Sequence, residues 1–182
     1  MPPPDVAMPP QPMTPPPPMA SGAGMPADLT TRFLARLIDH LILGVVSAVI
    51  VVPLIIGAMF TGNVGIGSSM GLGFRFSTGS LLASILTALI VIGYFTLMEA
   101  RNGQTLGKMI MSIRTQGPGG ASPTTEQAFK RNAWYALAII PFLGGLAQLA
   151  AAIYIAVTIN NSASRIGWHD TFAGGTQVVK TK

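Results

Sequence analysis

TRFLARLIDHLILGVVSAVIVVPLII, residues 31 to 56, is an apolar run of membrane length with charge written into its first turns. From Leu37 to Ile56 it offers twenty residues, about 30 Å of helix at ~1.5 Å per residue, which matches the hydrocarbon core of a bilayer. Pro53 lies near the far end, where it bends the last turn without breaking the span. Arg32, Arg36 and Asp39 follow at spacings of four and three, so a helix stacks them on one face with the aspartate about one turn inside the hydrocarbon. An aspartate at the centre of a spanning helix costs roughly 2.5–3.5 kcal/mol, and less near its end. Asp39 therefore needs a partner elsewhere in the chain.

The composition agrees with a membrane reading. Of 182 residues, 49% are apolar and only 9% charged, where a soluble domain carries about a quarter charged residues. The formal charge of +5 does not point to nucleic acid, because the basic residues sit in short segments beside apolar runs, as positive-inside topology requires. The absence of cysteine removes disulfides, thiolate metal sites and thiol nucleophiles together. No basic n-region or apolar h-region opens the chain, so the first span is expected to act as its own insertion signal.

Outward from that span, residues 1 to 26 hold 11 of the 15 prolines and show no periodicity that could bury a face. They are predicted to form a disordered, proline-rich tail with polyproline II character, a solvated spacer or a docking segment for a protein partner. Asp28 or Thr30 is positioned to cap the first helix. Residues 57 to 80 contain seven glycines and Arg75 as the only charge, a pattern for a loop. The second span is LLASILTALIVIGYFTLM, residues 81 to 98, closed by Glu99 and Arg101. From Glu99 to Arg131 the chain is polar, with five basic residues against Glu99 and Glu126, which places this loop and the N-terminus in the cytoplasm. Within it, Lys108 to Gln116 alternates and reads as a strand, and SPTTEQ at 122 to 127 reads as a helix start.

The last apolar block, Ala133 to Ile159, is interrupted by PFLGG at 141 to 145. It is either one kinked, tilted span, giving three transmembrane helices, or a hairpin of two short ones. The basic C-terminal segment favours an even number of crossings and hence the hairpin. The expected architecture is an all-α membrane bundle of four segments, at about 32–56, 81–98, 125–142 and 146–161, within a domain spanning 27–182. A second alternating run, Thr176 to Lys180, can pair with Lys108 to Gln116 if both lie on one side of the membrane.

Three pieces in this order, RFLARLID at 32 to 39, EARNGQTLGKMIMSIR at 99 to 114 and RIGWHDTFAGGTQVV at 165 to 179, resemble the RDD family of small bacterial membrane proteins. The family is named for one arginine and two aspartates. The resemblance implies that Arg32, Asp39 and Asp170 fill those positions, with Arg36 an addition beside Arg32. It also implies a multi-pass protein of the cell membrane, for which transport of an ion or small ligand is the usual proposal.

Other motifs have plainer readings. GQTLGK at 103 to 108 has one residue too few between its glycines for a phosphate loop, and Met109 where a hydroxyl belongs, so it reads as a turn at the membrane surface. Lys108 there suits a lipid headgroup. His169 beside Asp170 hints at acid/base or metal chemistry, but no nucleophile or further ligands accompany it. His40 is expected to pack between helices, and the alanines at 147, 150, 151, 152 and 156 to allow close helix packing within the chain or between copies.

The functional cluster expected from these readings is Arg32, Arg36, Asp39 and Asp170, with Glu99, Lys108 and His169 as secondary members. Its leading role is handling an ion or small ligand. The alternative is a structural or scaffolding protein in which the same charges lock helix ends while the tail recruits a partner. Nothing specifies an enzyme, a cofactor or a metal.

Overall fold

A computed structural model describes residues 24–60, 78–140 and 143–182. The expected tail before residue 24 and most of the glycine-rich connection lie outside the described residues. Helix α1 (Leu29–Phe60) is started by Asp28, whose carboxylate accepts from the Thr31 backbone N–H at 2.8 Å and the Thr31 hydroxyl at 2.9 Å. That fills a donor the first helical turn leaves open. Helix α2 (Thr78–Asn102) ends at Gly103, which has φ +68° and donates to the Glu99 carbonyl at 2.8 Å. Only glycine takes this left-handed cap without penalty.

Arg36 on α1 meets Glu99 on α2, whereas Asp39, further along α1, meets Tyr94, so the two helices run antiparallel. Both are long and apolar enough to cross a membrane, over Leu29–Leu54 and Leu81–Asn102. Along α1, Leu41, Val45 and Val49 are 65%, 67% and 71% exposed. Spaced by four, they form an apolar stripe that the protein leaves uncovered and that lipid tails would cover. The opposite side packs inward, where Leu43, Phe95 and Tyr135 make a small core with the Phe95 and Tyr135 rings stacked 5.3 Å apart.

Beyond α2 the chain builds a polar cap from α3 (Leu106–Ile110), strand β1 (Ile113–Gln116) and α4 (Thr125–Asn132). A 3-10 segment (Ala133–Ile139) and α5 (Gly144–Asn161) then leave the cap and return to it. Helix α6 (Trp168–Phe172) and strand β2 (Gln177–Lys180) close the chain. The expected pairing forms: β1 and β2 are antiparallel, with Ile113 opposite Lys180 and Gln116 opposite Gln177. Pro26 bridges to Val179, and the Ala27 N–H donates to the Val178 carbonyl at 2.9 Å. The beginning of the described chain, its central loop and its end therefore meet at one end of the bundle.

Two expectations change. The strand expected over Lys108 to Gln116 is confined to its second half, because Thr105 caps a helical turn over Leu106–Ile110 by accepting from the Lys108 N–H at 3.3 Å. Ser112, at φ 52°, then turns the chain into β1. Gly107, just before the expected strand, gives its N–H to Asp39 at 2.8 Å, which holds the start of this helical turn against α1. The segment expected as one helix over 125–142 is also divided. Helix α4 carries an exposed Glu126–Lys130 pair at 2.6 Å and a capping box between Thr124 and Gln127, so it belongs to the polar cap. Only the 3-10 segment after it is apolar.

Gly107 seats α3 on α1: a Cβ there would overlap the Ala35 carbonyl, while Gly119 has open space around it. Gly107→Val should lower the thermal midpoint of the detergent-solubilised protein by an amount corresponding to about 1–3 kcal/mol of overpacking. Gly119→Ala should leave it unchanged. Equal midpoints for the two variants would show that α3 does not depend on this close approach.

Candidate functional site

Several charges of the cap are drawn into one buried assembly where α1, α2, α3, α4 and α6 meet. Glu99, fully buried in the last turns of α2, sits among three cations. The Lys108 ammonium is 2.5 Å away, the Arg36 guanidinium 3.5 Å and the Arg131 Nε 3.5 Å. Asn132 donates to its other oxygen at 3.3 Å and accepts from Arg36 at 3.0 Å. Lys108 also donates to the Thr115 hydroxyl at 2.6 Å, which ties the site to β1. Above Arg36, the Phe95 ring centroid lies 4.0 Å from the guanidinium carbon, a cation–π contact within the apolar core.

Asp170, also fully buried, is the second anion. Arg131 pairs with its Oδ1, and Arg32 reaches Oδ2 at 3.4 Å. The Gly167 N–H at 3.0 Å and the Thr176 hydroxyl at 3.1 Å complete its shell. Arg32 also donates from Nε to the Ala27 carbonyl and from Nη2 to the Val178 carbonyl, both at 3.1 Å, so it pins the start of the described chain to β2. Arg131 touches both carboxylates and joins α2 to α6 through α4.

Asp39 is buried but apart from these cations. Its partners are the Tyr94 hydroxyl at 2.8 Å, the Thr105 hydroxyl at 2.6 Å and the Gly107 N–H at 2.8 Å. Asp39 and Arg32 lie near one face of α1, as their spacing implies, but seven residues separate them along the axis by about 10 Å. Each therefore meets a different part of the cap. The structure brings Arg32 to Asp170 and Arg36 to Glu99, and it satisfies Asp39 with neutral donors in place of an arginine. Lys108 belongs to the Glu99 site and faces inward, 3% exposed, so it is not the headgroup contact its position in the sequence suggested. His40 is exposed, with Nδ1 2.6 Å from the Arg36 carbonyl and its ring beside Tyr135. Trp168 stacks on Phe172, 5.5 Å between centroids.

Arg131, Asn132, Tyr94 and Thr105 are the members that sequence reasoning overlooked. Arg131 was visible only as one more loop cation, and Tyr94 only as part of the second apolar run. The available signal was the GQTLGK turn itself, since a small residue and a hydroxyl next to an apolar span are what a buried aspartate requires. Among the described residues, no group of three or more histidine, cysteine, aspartate or glutamate side chains could hold a metal ion.

Burial and pairing shift the acids and bases outside the spans. The His169 imidazole, 3.7 Å from Asp170, is pushed down to about 3 chiefly by burial, with Asp170 opposing and Arg131 reinforcing. Asp170 would be raised by burial, but Arg131, His169 and Arg32 bring it down to about 2. Burial lowers the Lys108 ammonium against the pull of Glu99.

A family model described as the RDD family matches residues 26–174. No curated protein and no solved structure matches the chain.

The depressed His169 has a defined sign. Unfolded, the imidazole takes up its proton near pH 6.5, whereas folded it resists protonation to about pH 3. Its contribution to stability is complete above pH 6.5 and declines as the pH falls toward 3, by up to ~1.4 kcal/mol per pH unit. Asp170 adds a further loss between its ordinary 3.8 and about 2. Denaturant unfolding in detergent from pH 7.5 down to 4.5 should show this decline, and His169→Gln should flatten it. An unaltered slope in that variant would assign the acid sensitivity to other groups.

Proposed function

The chain belongs to the RDD family, and from that premise we propose a multi-pass protein of the bacterial plasma membrane that moves an ion or small ligand past its cytoplasmic charged cluster. The observation carrying this reading is the assembly itself. Four cations, Arg32, Arg36, Lys108 and Arg131, face two buried carboxylates, Glu99 and Asp170, at the end of two membrane-length helices, with a third buried carboxylate, Asp39, held beside them by neutral donors. Charges held at such a position are costly and commonly mark a path for ions or polar ligands. Arg131 shares its guanidinium between Glu99 and Asp170, so a change at one anion reaches the other through a single side chain.

The proposed topology has two full spans followed by a short hairpin, four membrane segments in all. The β1–β2 pair and the Pro26–Val179 bridge support it by holding both described ends beside the basic central loop. That loop carries the cytoplasmic charge signature. In the hairpin, the outward 3-10 segment has seven residues, about 14 Å at ~2.0 Å per residue. The return through α5 has 18 residues, about 27 Å at ~1.5 Å per residue.

A second reading, a structural lock, is favoured by Asp39. Its three partners are neutral and already complete, as in a group that holds helix ends together.

Flux of sodium, potassium, chloride and protons into liposomes carrying the purified protein separates the two. Transport predicts wild-type flux that falls at least about tenfold in Asp170→Asn, an effect of ~1.4 kcal/mol or more on the rate-limiting barrier. Lys130→Gln, which removes only the exposed pair, should behave as wild type. Flux absent from the wild type, or unaffected by both Asp39→Asn and Asp170→Asn, would leave the lock. A reporter fused after Lys182 should read cytoplasmic, and a periplasmic signal would break the hairpin topology.

A further inference from the structure

Between α1 and α5 lies a cavity of about 320 Å³ that the ion-pair network borders but does not fill. Its wall from α1 is Leu29, Arg32, Phe33, Arg36 and His40, and its wall from α5 is Ala152, Ile155, Ala156 and Ile159. Both sets recur at three- and four-residue spacing, so each is one face of a helix. Lys108, Arg131, Trp134 and His169 line it as well. The cavity thus has two characters. Towards α5 it is apolar, with two alanines leaving the room, and towards the cap it is cationic.

Its charge is one-sided. All four cations of the network line the cavity, and none of Asp39, Glu99 or Asp170 does. The network's donors are also not fully used. Arg36 Nη1 and Trp134 Nε1 are buried without a hydrogen-bond partner among the described residues. Arg131 Nε has only its long approach to Glu99. Arg131 is 2% exposed, so its Nε cannot be counted as served by bulk water. Unused donors beside surplus positive charge call for an anion with several acceptor oxygens. The apolar remainder calls for a hydrocarbon tail, and Phe33, 62% exposed at the rim, marks an edge facing lipid.

We propose that this cavity is a binding site for an amphipathic oxyanion, a phosphate head against the Arg36–Arg131 end with an acyl chain between α1 and α5. Binding requires no flux, so the site stands or falls separately from the transport reading. An anionic lipid of the surrounding leaflet and a free phosphate share the head chemistry, and only the lipid uses the apolar wall.

Trp134 reports on the cavity directly. It is one of two tryptophans, and Trp168→Phe leaves it as the single tryptophan, excited selectively at the red edge of the absorption band. In phosphatidylcholine vesicles, phosphatidylglycerol with brominated chains should quench Trp134 at a mole fraction several-fold lower than brominated phosphatidylcholine does. Arg36→Gln should reduce that preference by about fivefold, the equivalent of ~1 kcal/mol for one cation near an anionic head. Ala156→Phe fills the apolar wall, leaves every charge in place and should abolish the preference. That second variant keeps the test decisive if Arg36→Gln does not fold. Equal quenching by the two lipids would overturn the site. So would a preference that survives Ala156→Phe, which would mean a general attraction of anionic lipid to a basic protein. If inorganic phosphate alone shifts Trp134 emission and cancels the phosphatidylglycerol effect, the cavity takes a free oxyanion and the lipid assignment fails.

Discussion

Arg131 spans two carboxylates that water cannot reach, and the rest of the cap is arranged to make that possible. Burying Glu99 or Asp170 alone would cost several kcal/mol after all relaxation. Each is tolerable only because guanidinium and ammonium groups arrive from other elements, Arg32 and Arg36 from α1, Lys108 from α3 and Arg131 from α4. The loss of any one cation leaves its anion underpaired, so the helices and the small sheet are coupled through charge more than through apolar contact. The buried apolar clusters are correspondingly small, with Leu43, Phe95 and Tyr135 in one and Ala27, Ala35, Ile113 and Val178 in the other.

Such a design suits a protein whose apolar surface is meant for lipid. A soluble domain would turn the large residues of α1 and α2 inward, whereas here most of them are exposed and the polar groups occupy the interior of one end. Lipid tails offer the helices no hydrophobic incentive to associate, so packing, hydrogen bonds and charge must hold the bundle. The two kinds of anion in the cap fit this account. Asp39 is met by the Tyr94 hydroxyl of α2, the Thr105 hydroxyl that caps α3 and the Gly107 N–H of α3, which fixes α3 on α1 without adding charge. Glu99 and Asp170 are met by cations that also border the cavity beside α5.

Much of this was legible in the chain. Both membrane-length helices follow from uninterrupted apolar runs whose length matches a bilayer, and the α4 start follows from the Thr124–Gln127 spacing that makes a capping box. The β1–β2 pairing was legible as two short alternating runs that could meet only if the chain returned to one side. Less was legible where tertiary contacts overrule local pattern. Met109, Met111 and Ile113 alternate as a strand does, yet Gly107 gives its N–H to Asp39 and the segment coils into α3. Thr125 to Asn132 continues into an apolar block as a single helix would, yet its outer face carries an exposed ion pair and its inner face Arg131 and Asn132, so it stays with the polar cap.

The sequence by itself determined which residues had to be reconciled. Charges placed inside an apolar run of membrane length must find partners, and only a few residues could supply them. The family resemblance also grouped Arg32, Asp39 and Asp170 as one cluster. The tertiary structure decided the actual pairings, because partners 63 to 146 residues apart are chosen by where helix ends meet and not by spacing. On α1, a separation of about 10 Å along the axis sends Arg32 to Asp170 and leaves Asp39 to a tyrosine, a threonine and a glycine N–H. The same folding gathers four cations around a cavity that no carboxylate lines, a charge asymmetry that a linear count of lysines and aspartates cannot contain.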